Sequence, residues 1–274
     1  MHNFPSSSKS STGLPILSID SLEKTFPSAD GDIHALHNIN LEVRKGEFVC
    51  LLGASGCGKS TLLRVIGGFD SPSEGSAKIY GKKIDGPGPD RGVVFQDYAL
   101  FPWLTVQENI AFGPKHRGLP KSEIKDISQK YMEMVGLTKF ATKYPNTLSG
   151  GMKQRVAIAR VLANDAEILL MDEPFAALDA LTRAKLQEEL LDIWERTSLT
   201  VIFVTHSVEE AVVLSDRIVV MGAGPGHIES DISITLPRPR DPSSVEFNDL
   251  RRDVSNQLRK NIIQAASVKE SADV

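Results

Sequence analysis

The chain has 274 residues, with 31 Lys plus Arg against 35 Asp plus Glu and a formal net charge of −4. Its 41% hydrophobic content is enough to bury a sizeable core, which excludes a wholly disordered chain, and the slight acidity argues against a protein held mainly by nucleic-acid phosphates. Two cysteines, Cys50 and Cys57, exclude a disulfide-rich secreted scaffold and predict a reducing compartment.

Residues 1–15 are serine-rich and read as a flexible tail, without the apolar stretch of a secretory leader. No run of 18 apolar residues occurs, so no bilayer-spanning helix is predicted, and the expectation is a protein acting inside the cell. From Ile16 the text becomes globular. Apolar segments at 39–43, 48–52, 78–80 and 93–95 have strand length, with Gly and Pro between them. A helical region follows from about 105 to 163. Within it Ile124, Ile127, Tyr131 and Met134 recur at spacings of three and four, predicting a helix over 122–135. Buried strands are predicted at 168–171, 201–205 and 217–221, with helical text between them, notably 181–196. Strands alternating with helices predict an α/β fold whose mostly parallel sheet is covered on both faces. Residues 236–242 hold three prolines and are excluded from regular structure. Beyond them Phe247, Leu250, Val254, Leu258 and Ile262 predict an amphipathic helix followed by a tail.

Gly53-Ala54-Ser55-Gly56-Cys57-Gly58-Lys59-Ser60 fits G-x-x-x-x-G-K-[ST] at every fixed position. Glycines let the backbone turn so that successive N–H groups cradle phosphate oxygens. Lys59 supplies a point charge at the β- and γ-phosphates, and the Ser60 hydroxyl can ligate Mg²⁺. The strand at 48–52 runs into the loop. A helix opening at Ser60 and Thr61 presents an N-terminus that favours anions. Nucleotide binding follows. Downstream, Ile168-Leu169-Leu170-Met171-Asp172-Glu173 is an apolar strand ending in two acids. A carboxylate at that end, where open α/β sheets bind ligands, can hold Mg²⁺ opposite Ser60, which fits Asp172. Glu173 is then placed to orient or deprotonate the water attacking the γ-phosphate.

With these motifs the sequence resembles the ATP-binding subunits of ABC transporters, over residues 16 to about 234. Leu148-Ser149-Gly150-Gly151-Met152 resembles the family's signature L-S-G-G-Q, with Met152 where the family has Gln. Gln96 matches the Q-loop, Ala177-Leu178-Asp179 the D-loop, and His206 the switch histidine. The resemblance implies a P-loop NTPase core with an antiparallel β subdomain and a helical signature subdomain. The ATP-binding domain would span 16–235, its helical part about 98–163, and 236–274 would form a proline-rich linker, helix and tail. It also implies catalytic roles for Glu173, His206 and Gln96, with Gln96 joining Ser60 and Asp172 at the metal. Asp179 and the Ser149, Gly150 and Gly151 anion site would contact nucleotide across a head-to-tail pair of copies. Phe26, where the family commonly has Tyr, fits two roles: a ring stacked on adenine or a core aromatic.

Between Tyr98 and Val106 the chain is unusually aromatic and apolar for a connection. It fits either subdomain core or a cleft receiving a short helix of a membrane permease, which is where the family couples. This segment, with Met171-Asp172-Glu173-Pro174-Phe175-Ala176-Ala177-Leu178-Asp179-Ala180-Leu181-Thr182-Arg183, closely resembles the nitrate, sulfonate and taurine branch of bacterial importers. That resemblance implies ATP and Mg²⁺ as ligands, and a permease and solute-binding protein as partners. It also implies a peripheral place on the cytoplasmic face of the inner membrane. A second reading, a soluble ABC ATPase acting on nucleic acid or ribosomes, would call for two nucleotide domains or a long coiled coil. The chain has one phosphate loop, no sustained heptads and no basic excess.

Overall fold

A computed structural model describes residues 15–29, 31–176 and 178–272, with side chains through Arg259. Nearly all of the tail expected over 1–15, Ala177 of the D-loop match and the side chain of Ile262 lie outside the described residues.

The strands β3 (Phe48–Gly53), β6 (Arg91–Val94), β7 (Ile168–Asp172), β8 (Thr200–Thr205), β9 (Arg217–Gly222) and β10 (His227–Ser233) form a six-stranded sheet in the order β10-β9-β3-β8-β7-β6. All neighbours are parallel except β9 and β10. Every residue of β3 and β8 is buried, the mark of strands covered on both faces. Side chains alternate between those faces. Val49, Leu51, Leu170, Ile202, Val204 and Val219 point to a core shared with α1 (Lys59–Gly67) and with a second sheet. Phe48, Cys50, Leu52, Leu169, Phe203 and Ile218 point to the opposite core. That core is covered by α4 (Gly150–Ala163), α5 (Ala180–Thr197), α6 (Val208–Leu214) and α7 (Val245–Ala272).

The second sheet is antiparallel, in the order β2-β1-β4-β5, from β1 (Leu17–Phe26), β2 (Ile33–Val43), β4 (Glu74–Ile79) and β5 (Lys82–Lys83). The predicted strand at 78–80 stops at Ile79. Tyr80 and Gly81, at φ 48° and 75°, make the two-residue turn of the β4–β5 hairpin, a conformation the glycine accepts freely. Phe95 likewise lies beyond β6.

The helical region divides into α2 (Val106–His116), α3 (Lys121–Met134), two single 3₁₀ turns and α4. Thr105 caps α2, accepting from the Glu108 N–H while the Glu108 carboxylate accepts from the Thr105 N–H. The apolar spacing places the buried face of α3 slightly off. Ile124, Ile127, Tyr131 and Met134 are partly buried, while Ser128 and Met132 are the residues fully enclosed. After β10 the chain is irregular through its prolines. There Arg240 donates to the Val212 and Ser215 carbonyls at the end of α6, and Arg238 pairs with Asp216. Phe247 and Val254 of α7 are buried as predicted, and the helix continues to Ala272, past the apolar spacing that announced it.

Candidate active site

The phosphate loop joins β3 to α1 at the C-terminal end of the parallel sheet. Gly56 and Gly58 take φ of 81° and 89°, so the loop turns where only glycine turns without strain. A Cβ on Gly58 would also meet the Ala35 carbonyl at 2.9 Å and Leu36 at 2.6 Å. Lys59 is only 4% exposed, and its ammonium donates to the Gly53 and Ala54 carbonyls at 2.9 and 2.8 Å. A buried ammonium with two neutral acceptors is a strong attractor for anionic oxygen.

Two neighbouring strand ends complete the centre. Asp172, the last residue of β7, accepts a hydrogen bond from the Ser60 hydroxyl at 3.0 Å. Burial pushes its carboxyl above the ordinary aspartate value, the Ser60 bond opposing that rise. Glu173 follows at φ 44°, its N–H held by the Val204 carbonyl of β8 at 3.0 Å. Its carboxylate stands 3.0 Å from Nδ1 of His206, the residue that follows β8. Residues distant in sequence are thus brought together by parallel pairing of β7 with β8, and of β8 with β3.

A cleft of about 350 Å³ opens beside this centre, lined by Ser55, Gly56, Gly58, Lys59, Ser60, Thr61 and Glu173, with Asp172 and His206 outside that lining. Its other wall is formed by Ile33, His34, Ala35 and the turn Gly224-Pro225-Gly226, none of which sequence reasoning singled out. That turn is pinned to β2: Gly226 N–H donates to the Ala35 carbonyl, and His37 N–H to the Gly226 carbonyl. The signal available in sequence was only the Gly-Pro-Gly spelling. Phe26 is partly exposed and pairs with Ile33 across β1 and β2, which sets it at the rim of this wall rather than in either core. Lys24 stands 4.7 Å over its ring.

Cys57 is 1% exposed with its thiol pushed up by burial, and Cys50 lies in the core. Gln96 is exposed in the turn after β6 and does not line the cleft. Ser149, Gly150, Gly151 and Asp179 lie outside the cleft as well. Ser149 caps α4, accepting from the Met152 N–H at 3.3 Å, and Asp179 caps α5, accepting from the Thr182 N–H at 3.0 Å. The Thr182 side chain, and after it the Thr182 N–H, hold the Asp179 carboxyl below its ordinary value. The two caps adjoin: a Cβ on Gly150 would touch Leu178 and the Tyr98 hydroxyl, both at 3.3 Å.

The aromatic connection forms a groove of about 390 Å³ with Phe95, Ala99, Phe101, Phe112 and Arg160 in its lining. Phe101 packs on Phe112 at 4.4 Å between ring centres, while Trp103 is 70% exposed. Arg160 of α4 donates to the Ala99 and Tyr98 carbonyls, holding two residues of positive φ, 43° and 64°.

Comparison with known proteins agrees with this geometry. The ABC transporter family model matches residues 36–176. The nitrate import ATP-binding protein NrtD of Synechocystis is 50% identical, over 81% of this chain and 83% of its own. The aliphatic sulfonates import ATP-binding protein SsuB of Bacillus cereus is 48% identical, over 88% and 95%. Among solved structures, a dimeric post-hydrolysis ATP-binding cassette bound to ADP and Pi superposes with a TM-score of 0.70 at 36% identity. That match covers 81% of this chain and 100% of the other.

Proposed function

Because this chain belongs to the ABC transporter family and is an ATPase, we propose that it energises import of a small anion of nitrate or sulfonate type through a separate permease. One observation carries the reading: buried Lys59, the Ser60–Asp172 pair and the Glu173–His206 pair converge on the C-terminal ends of three adjacent parallel strands. ATP phosphates would lie on the loop N–H groups and exchange the two carbonyl partners of Lys59 for anionic oxygens. The donor set fits Mg²⁺: a hydroxyl and a carboxylate oxygen 3.0 Å apart are hard ligands, and this ion takes one or two protein oxygens together with phosphate. Bound there, it would neutralise charge developing on the phosphates. Glu173 accepts the proton of the attacking water, whose oxygen bonds to the γ-phosphorus as the bond to the ADP oxygen breaks. His206 orients that carboxylate and meets the γ-phosphate.

The signature residues Ser149 to Gly151 and the Asp179 cap stand outside the cleft of their own chain. This supports a head-to-tail pair in which each copy completes the other's site, as does the dimeric relative. The groove at Phe101 and Phe112, with exposed Trp103 beside it, supports docking of the permease there. Among the described residues no helix is long and apolar enough to cross a membrane, so membrane attachment would run through that groove. The anion class comes from relatives named for nitrate and sulfonate import.

The test is reconstitution with the permease and solute-binding protein in vesicles. ATP-dependent uptake of nitrate or an alkanesulfonate supports the reading, and ATPase activity that is indifferent to every solute of this class overturns the importer assignment.

A further inference from the structure

Glu210, in the first turn of α6, is a buried carboxylate that the hydrolytic scheme leaves without a task. It is 6% exposed, and burial raises its carboxyl above the ordinary value. Its two oxygens serve different segments. Oε2 accepts from the hydroxyl of Thr205, itself 2% exposed, at 2.6 Å, and that hydroxyl in turn accepts from the Ser207 N–H at 3.0 Å. His206 sits between those two residues. Oε1 stands 3.5 Å from the Arg183 guanidinium, and Arg183 donates to the Leu178 carbonyl at 2.9 Å. Leu178 immediately precedes the Asp179 cap and borders Gly150. One buried carboxylate therefore fastens the turn that carries His206 to the segment that would face a second copy.

We propose that Glu210 and Arg183 act as a pair of positioning residues, transmitting the placement of Leu178 and Asp179 to His206 and thereby to Glu173. The inference rests on the roles given above to His206 and to the paired copy. Enclosing the Glu210 carboxylate costs stability compared with an apolar side chain, and its contact with the 36% exposed Arg183 side chain is a 3.5 Å ion pair, so the arrangement fits a task in specificity of placement. Neither residue lines the cleft, and misplacing a catalytic group by an ångström is enough to lower a rate by about tenfold or more, the scale expected here.

The experiment uses the full chain with Mg-ATP. E210Q keeps the shape and removes the charge that faces Arg183. T205V removes the hydroxyl that holds the turn, and T205S restores it. R183M removes the guanidinium. E210Q, T205V and R183M should each lower kcat about tenfold or more with KM for ATP unchanged, and T205S should recover the rate. In the E173Q background the E210Q chain should still form the ATP-dependent dimer on size exclusion, because pairing itself is untouched. The R183M/E210Q double variant should be no slower than its slower parent, since the two act as one unit. Normal kcat in both E210Q and T205V, with H206A inactive, overturns the inference and leaves the reading of the site standing. A double variant whose loss is the product of the single losses overturns it as well, as does a rise in KM in step with a fall in thermal midpoint. If H206A retains the wild-type rate, the site reading and this inference fall together.

Discussion

His206 Nδ1 stands 3.0 Å from Glu173 Oε2, joining the residues that follow β8 and β7. Glu173→Gln keeps the side-chain shape but cannot accept a proton from water. The variant should bind Mg-ATP and hydrolyse it at least about 10²-fold more slowly, the low end for a lost general base. With ATP persisting, a dimer should become visible by size exclusion. Normal hydrolysis would remove Glu173 from the catalytic role.

Lys59→Ala should abolish ATP binding. Lys59 brings the only side-chain charge between Gly53 and Ser60, and its ammonium is held at the loop by two carbonyls. Calorimetric titration with ATP is the check, and retained affinity would mean that phosphate sits elsewhere.

Ser149→Arg adds bulk and charge at the α4 cap and should be inactive alone. Mixed with inactive Lys59→Ala subunits, it forms heterodimers in which one composite site carries both defects and the other neither. Partial recovery of ATPase activity shows that the sites are shared. Heterodimers without recovery show that each chain works alone.

Phe101 and Trp103 differ in exposure, which lets the two roles that the sequence left open for their segment be tested apart. Phe101 rests on Phe112 and under Arg160, whereas Trp103 is 70% exposed. Trp103→Ala should therefore keep the thermal midpoint and ATP binding while weakening capture by the permease well over tenfold, as interface aromatics worth about 2 kcal/mol do. Phe101→Ala should lower the midpoint as well. Unimpaired docking of Trp103→Ala would place the permease elsewhere.

Glu210 gives a pH signature. Burial holds its carboxyl above the ordinary 4.5, opposed by the Thr205 bond and by Arg183 and His206, and assisted by Glu173. The folded state thus keeps the proton more tightly than the unfolded chain. That contribution is present at low pH and is lost as pH rises through the raised value. Gln is neutral throughout, so the midpoint of E210Q minus that of the wild type should grow as pH climbs above 4.5. A flat difference would mean that Glu210 is no harder to ionise in the fold than out of it.

What could be read from the residues follows from physical pattern. β7, β8 and β9 are continuous apolar runs because both faces of their sheet are covered, and the phosphate loop has a fixed spelling. β1 escaped because irregular pairing between Ile19 and Thr25, with Ser21 at φ 43°, breaks its alternation. β10 escaped because an edge strand with spelling His-Ile-Glu-Ser-Asp-Ile-Ser buries too little. The cleft wall at Ile33 to Ala35 and Gly224 to Gly226 was hidden for another reason: two chain segments far apart in sequence meet there by backbone hydrogen bonds, which leave no side-chain signature. The link between Glu210 and Arg183 was equally silent, since one is charged text in a short helix and the other in a long one.

The grip of Arg160 on the Tyr98 and Ala99 carbonyls has a mechanical consequence. Arg160 and Ser149 belong to opposite ends of one unbroken helix, about 16 Å apart at 1.5 Å of rise per residue. A continuous helix is stiffer than a loop, so a displacement at the aromatic groove would be passed to the serine with little taken up between them. In the proposed complex, the groove offered to the membrane partner and the serine offered to the other copy would therefore sit on one helix, with the Arg160 guanidinium tying the groove to it.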